Sequence, residues 1–198
     1  MRKGPQKAVS SKKNAVKDDA KEVLIFQDET ELHRLPTLHR LWGRKGKQSE
    51  IPSPGQNAKV VVYGGVDYAA GRIVHTVAPT KSGWNFISFL TVLLKVYAGC
   101  KICLVCDNAR FHHTKAVNTF LGDHAERLRI FWLPPYCPNL NLIERLWGHL
   151  KRTVLANVLF CTMDDLVAAF RRGVGCINGH RNHMGFMFDH DDVQPKVA

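Results

Sequence analysis

Two short apolar runs that each stop at an acid constrain this chain most: "EVLIFQDE" at 22–29 and "KICLVCDN" at 101–108. Each is too short for a stable helix and rich in β-branched or aromatic residues, so each reads as a buried strand. A helical pattern precedes the second run and another follows it, and short strand–helix–strand connections favour parallel pairing in an α/β domain. Ligand sites in open α/β sheets form outside the carboxyl ends of the strands, where Asp28 and Asp107 fall.

The remaining elements fit that class. "AKVVVYGGVDY" and "GRIVHTVA" are strand patterns joined by the turn-prone "DYAAGR", which predicts an antiparallel hairpin. From Ser82 to Tyr97 the residues Phe86, Ile87, Leu90, Leu93, Leu94 and Tyr97 share a helical face, with Ser82 as N-cap. "HTKAVNTFLGDHAERL" repeats the helical spacing through Val117, Phe120, Leu121, His124 and Leu128, and "LRIFWLP" is a further strand. A helix beginning near Ile143 and another in "TMDDLVAAFRRGV", with Thr162 and Asp165 as a capping box, complete the order. Residues 1–21 read as a basic flexible arm, 22–188 as the folded domain and 189–198 as a frayed tail.

The 198 residues suffice for one well-buried domain. Lys and Arg number 28 against 17 Asp and Glu, and a net charge of +11 favours a polyanionic partner, nucleic acid or an anionic membrane surface. No apolar run approaches the roughly 18 residues of a spanning helix, which weakens the membrane reading. The basic start lacks the apolar stretch of a secretory signal, so the chain is expected in a reducing cytosol with its cysteines as thiols. Cys100, Cys103 and Cys106 mimic the spacing of an iron–sulfur loop, but three-residue steps along a strand throw successive thiols to opposite faces, and position 110 is Arg.

A carboxylate at the end of an apolar strand is costly unless paired, hydrogen-bonded or on a metal. Either Asp28 or Asp107 alone could cap a turn; two on neighbouring strands repel unless a cation sits between them. Glu144 admits two readings. With Asn141 as N-cap it is the third helical residue of a capping box, yet it also projects from the edge of the stripe Ile143, Leu146, Trp147 and Leu150, within reach of a cleft. Arg40, Arg44, Lys45 and Lys47 around Trp42 form a basic, aromatic-bearing loop suited to a DNA backbone, or simply a solvated one. His112, beside His113 at a helix start, is read as orienting the site or a phosphate rather than as a metal ligand. The acids of "DHDD" at 189–192 are read as a solvated terminus.

"FQDE" at 26–29, "CDNARFH" at 106–112 and "LPPYCPNLNLIERLW" at 133–147 together resemble the DDE transposases of bacterial insertion sequences related to the mariner superfamily. Asp28, Asp107 and Glu144 match its three acidic positions in order, with 36 residues (108 to 143) between the last two, and the resemblance covers about residues 22–180. Pro36, Trp42, Gly43, Asn108, His112 and Trp147 also agree. Cys137 stands where Ser is common, and Leu142 where Pro often precedes the Ile-Glu pair.

The resemblance implies an RNase H-like (retroviral-integrase-like) fold, a five-stranded mixed sheet flanked by helices, with the first and fourth strands adjacent and the Glu144 helix beside them. It implies Asp28, Asp107 and Glu144 as catalytic metal ligands holding two Mg²⁺ ions, with Mn²⁺ able to substitute, for cleavage at transposon ends and strand transfer into target DNA. Two such ions roughly 4 Å apart activate an attacking oxygen and stabilise a leaving one, and they make an acidic site welcome phosphate. The implied partners are double-stranded DNA and a second copy of the chain, with no membrane, in a bacterial, nucleoid-associated setting. Relatives commonly carry helix-turn-helix modules ahead of the catalytic domain. Only the basic arm precedes it here, so a separately encoded module is an expected partner. The alternatives are a stand-alone RNase H-like nuclease and an inactive or truncated transposase fragment that binds DNA or inhibits.

Overall fold

The computed structural model describes residues 21–40, 45–46, 50–52, 55, 57–134 and 141–180; the basic arm and the "DHDD" tail lie outside them. Five strands, β1 (Glu22–His33), β2 (Lys59–Asp67), β3 (Ile73–Ala78), β4 (Lys101–Cys106) and β5 (Leu128–Trp132), form one sheet in the order β3-β2-β1-β4-β5. The chain folds β1 to β3 as an antiparallel meander, then crosses over through a helix to lay β4 parallel to β1, and through a second helix to lay β5 parallel to β4.

Those two helices, α1 (Gly83–Val96) and α2 (Lys115–Asp123), cover one face. Ser82 accepts from the Asn85 N–H as the predicted cap, and Phe86, Phe89, Leu90, Leu93 and Leu94 are buried against Val23, Ile25 and Leu104, each burial worth roughly 2 kcal/mol. The opposite face is covered over β1 to β3 by α3 (Ile143–Leu150) and α4 (Met163–Gly179), through Ile143, Leu146, Trp147, Leu150, Leu166 and Phe170. The capping box of Thr162 and Asp165 at the start of α4 is complete. A π-helical turn, Lys151–Leu155, continues α3.

Three local expectations are corrected. β1 does not end at its acids. It runs five residues past Asp28, because β2 pairs with it through His33 after β4 has stopped pairing at Phe26. α2 stops at Asp123, and Leu128 belongs to β5, where its side chain is buried in the same core that the helical spacing implied. At α3 the N-cap is Leu142, without a side-chain cap; Asn141 instead donates its amide to the backbone carbonyl of Gln27 at 2.9 Å. Tertiary hydrogen bonding to β1 outcompetes the local cap, and Glu144 becomes the second helical residue.

Candidate active site

β1 alternates its side chains, so Val23 and Ile25 enter the α1 core while Phe26 and Asp28 face the α3 side. Asp28 lies just beyond the point where β1 and β4 part, and Asp107 follows the last residue of β4, so two parallel neighbours deliver the two aspartates to the same end of the sheet. Glu144 arrives from α3, whose buried stripe packs across β1 and β2. The three acids interact. Burial pushes the Asp28 carboxyl up to about 7, with repulsion from Glu29, Asp107 and Glu144 adding to it. Burial, then Asp107, also raises Glu144.

Asp28 is held by a contact that periodicity did not reveal. The Trp147 indole Nε1–H donates to its Oδ2 at 3.1 Å. The ring reaches it because Gly64 is the cross-strand partner of Asp28. A Cβ at Gly64 would lie 2.3 Å from Trp147 Cη2, so only glycine lets the indole lie against β2. The signal in the sequence was the Gly-Gly pair inside an otherwise β-branched strand, which marks a close approach.

Asp107 has the opposite electrostatics. A hydrogen bond from His112 is the main cause holding its carboxyl below the usual range, although the side chain is half-exposed and partly desolvated. His112, expected to orient the site or a phosphate, is fully buried, boxed by Phe86 and Phe111 at 4.2 Å between ring centroids. From there it meets protein groups and not DNA. Its Nδ1 is 3.2 Å from the Asp107 carbonyl and 3.3 Å from Asp107 Oδ1, and its Nε2 is 3.1 Å from Glu29 Oε1. Burial alone would lower its pKa, but Asp107 and Glu29 outweigh burial and raise it to about 9. Glu29, adjacent to Asp28 but on the other face of β1, is a residue that motif reading left without a role.

Lys151 was also missed. It is half-buried, its ammonium pKa lowered by burial, and it feels Asp28, Glu31 and the exposed Lys81. Its spacing of seven from Glu144, two helical turns, is the signal that could have found it. Of the basic loop, Arg40 and Lys45 are exposed, and Trp42, Arg44 and Lys47 lie outside the described residues. The loop's start is pinned close to the end of the helical segment bearing Glu144: the His39 N–H donates to Asn157 Oδ1 at 2.9 Å, and the Asn157 N–H to the Thr37 carbonyl at 3.0 Å.

The sheet order, the helices on both faces and the acids at one end of the first and fourth strands define an RNase H-like domain. Solved structures agree on the fold. A Mos1 mariner transposase paired-end complex with Mn matches with a TM-score of 0.57 and 14% identity, over 81% of this chain and 54% of that one. The catalytic core domain of HTLV-2 integrase in complex with magnesium, in its trimeric form, matches with a TM-score of 0.52 and 14% identity, over 80% of this chain and 86% of the other.

Sequence comparison carries the assignment further. Residues 23–167 match the model of the DDE superfamily endonucleases, and the chain belongs to that family. It is 29% identical over 153 residues to the insertion element IS630 uncharacterized 39 kDa protein of Shigella sonnei, covering 77% of this chain and 44% of that protein. It is also 29% identical over 69 residues to the uncharacterized protein y4pE/y4sA of Sinorhizobium fredii, covering 35% of this chain and 47% of that one. The chain thus spans about half the length of these curated relatives. No helix among the described residues is long and apolar enough to cross a membrane.

Proposed function

We propose that the chain is the catalytic domain of an insertion-sequence transposase that cleaves DNA at transposon ends and transfers the freed strand into target DNA. The observation that supports this reading is the delivery of Asp28 and Asp107 to one end of the sheet by the parallel neighbours β1 and β4, with Glu144 carried by α3, which packs across β1 and β2. Three carboxylates are hard oxygen donors and suit Mg²⁺, and Mn²⁺ as a substitute, better than a softer ion. Bound there, two such ions supply Lewis-acid activation of the attacking oxygen and stabilisation of the leaving one.

The residues of this chain then divide the work. Asp28 presents the oxygen that Trp147 does not occupy, Asp107 its outward oxygen, and Glu144 closes the site from α3. Water attacks a phosphodiester at the element's end, the P–O3′ bond breaks, and the 3′-oxygen leaves as a hydroxyl. That 3′-hydroxyl attacks a target phosphodiester and displaces a target 3′-hydroxyl, so the number of phosphodiester bonds is conserved in the second step. Arg40, Trp42, Arg44, Lys45 and Lys47 contact the DNA backbone, with Lys81 and Lys151 flanking the acids. Joining two ends calls for a homodimer on DNA, acting in the bacterial nucleoid.

An Asp107→Ala variant is expected to lose cleavage of end-containing DNA in Mg²⁺; cutting at the wild-type rate would sink the assignment. Recognition of the ends is assigned, as the family resemblance implies, to a separately encoded helix-turn-helix module. Titrating the chain into a transposition assay, with and without that module, separates this enzyme from an inhibitory fragment, which would lower transposition in both arms. A stand-alone nuclease would cut without joining.

A further inference from the structure

On the face of β1 opposite Asp28 lies a buried polar chain that touches all three acid-bearing elements. Asn141, three residues before Glu144, donates to the Gln27 carbonyl; Gln27 Nε2 donates to Glu29 Oε1 at 2.6 Å; and Glu29 Oε1 also accepts from His112. The other side of the imidazole ends on Asp107. Glu29 and His112 are both inaccessible to solvent, their side chains 1% and 0% exposed, so this chain neither binds DNA nor reaches a substrate.

The donor and acceptor roles follow from the partners. A backbone carbonyl only accepts, so Nδ1 of His112, facing the Asp107 carbonyl, carries a proton. Glu29 Oε1 already accepts from Gln27, so Nε2 donates to it as well. With both ring nitrogens donating, the imidazole acts as a strut between two carboxylates. The Ala109 N–H reaches the same Asp107 oxygen as the imidazole, Oδ1, at 3.3 Å. Both donors therefore pin one oxygen and turn Oδ2 outward. The ring cannot swing away, because Phe86, Phe111 and Trp132 surround it.

We propose that Glu29 and His112 are a positioning pair that locks the Asp107 carboxylate in one orientation and thereby sets the preference of the site for Mg²⁺ over Mn²⁺. The proposal rests on the acidic triad being the metal site. Mg²⁺ demands nearly ideal octahedral geometry and tolerates a wandering ligand poorly, so loosening Asp107 penalises it more than the more adaptable Mn²⁺. The competing arrangement is a separate ion held by Glu29, Asp107 and His112 themselves, whose donor atoms lie within 4.8 Å of one another.

Isothermal titration of the full chain with Mg²⁺ and with Mn²⁺ separates these cases. Glu29→Gln, which keeps size and one acceptor, and His112→Asn are expected to weaken Mg²⁺ binding about 10- to 100-fold. Mn²⁺ binding falls markedly less and the number of bound ions is unchanged. Leu94→Ala, which disturbs the α1 core away from the pair, lowers the melting temperature and leaves the Mg²⁺/Mn²⁺ ratio at the wild-type value. Parallel losses for both ions, no loss, or failure of Glu29→Gln to fold would each overturn the positioning role. Loss of one ion from the stoichiometry would replace it with a third ligand set. Asp28→Asn reports on the underlying reading: if it binds both ions as wild type does, the triad itself is wrong, whatever the pair variants do.

Discussion

Trp147 and Asp28, 119 residues apart, meet through a 3.1 Å hydrogen bond that lies directly over Gly64. The contact joins the Glu144 helix to the central strand, so the placement of the third acid and the ionisation of the first share one side chain. Removing the donor while keeping an aromatic ring, as in Trp147→Phe, takes away a bond that favours the charged form of Asp28. The midpoint of the pH–activity profile should move upward, with a loss of about 1–3 kcal/mol in stability. Gly64→Ala should cost a similar amount by a different route, because its Cβ forces a rigid ring aside; about 1–3 kcal/mol of overpacking cost is expected, read by urea unfolding, with a shift in tryptophan emission.

The raised pKa of Asp28 has a definite consequence for pH. A carboxyl whose folded pKa is about 7 against an unfolded value of 3.8 binds its proton more tightly when folded. Its contribution to stability is fully present below pH 4 and is lost as the pH rises through 7. Metal-free protein should therefore lose on the order of 4 kcal/mol between pH 4 and pH 8 from this group. Asp28→Asn should flatten that slope and melt higher than wild type at pH 8 in chelator. Calorimetry of the wild type should also show proton release on Mg²⁺ binding near pH 7.

Glu144 sits at the second position of α3 and no capping box depends on it. Glu144→Gln should change stability by no more than about 0.5 kcal/mol, as surface substitutions do, and the relief of repulsion with Asp107 favours the stabilising sign. Cleavage should fall by about 10³-fold or more, as when one member of a catalytic set is removed. An equal loss of stability and activity would return Glu144 to a structural role.

The basic loop makes a separate prediction. Neutralising Arg40 and Lys45 together should weaken DNA binding at all sequences and flatten the plot of log affinity against log salt by about 0.9 per lost phosphate contact. A slope equal to that of the wild type would remove these residues from the interface.

The thiols test the rejection of a cluster. Cys106 is fully buried with its pKa raised well above normal, and burial with the Glu22 carboxylate pushes Cys103 up to about 11. Cys161 and Cys176 are exposed. A thiol reagent should modify Cys161 and Cys176 in the native protein and reach Cys106 only on unfolding, with Ser variants assigning each step.

Much of the fold was legible because apolar periodicity is local. The runs at Val23 to Phe26 and Ile102 to Cys106, the cap at Ser82 and the capping box at Thr162 all state their element within a few residues. The failures share a cause in long-range partners. Asn141 has the composition of a cap, but a carbonyl on β1 claims its side chain. His112 is read at its helix start as orienting the site or a phosphate, but its burial is not legible there, because two aromatic rings from elsewhere in the chain, Phe86 and Trp132, enclose it with Phe111.

The linear chain decided the acids, their order and the elements that bear them, since strand and helix periods depend on neighbours one to four residues away. Only tertiary packing decided what each acid feels. Asp28 is pushed up and Asp107 held down at the same end of one sheet, because burial and the partners supplied by Trp147, Glu29 and His112 depend on which distant segments the sheet order brings together. Electrostatic environment is a property of three-dimensional neighbours, and no spacing in the sequence encodes it.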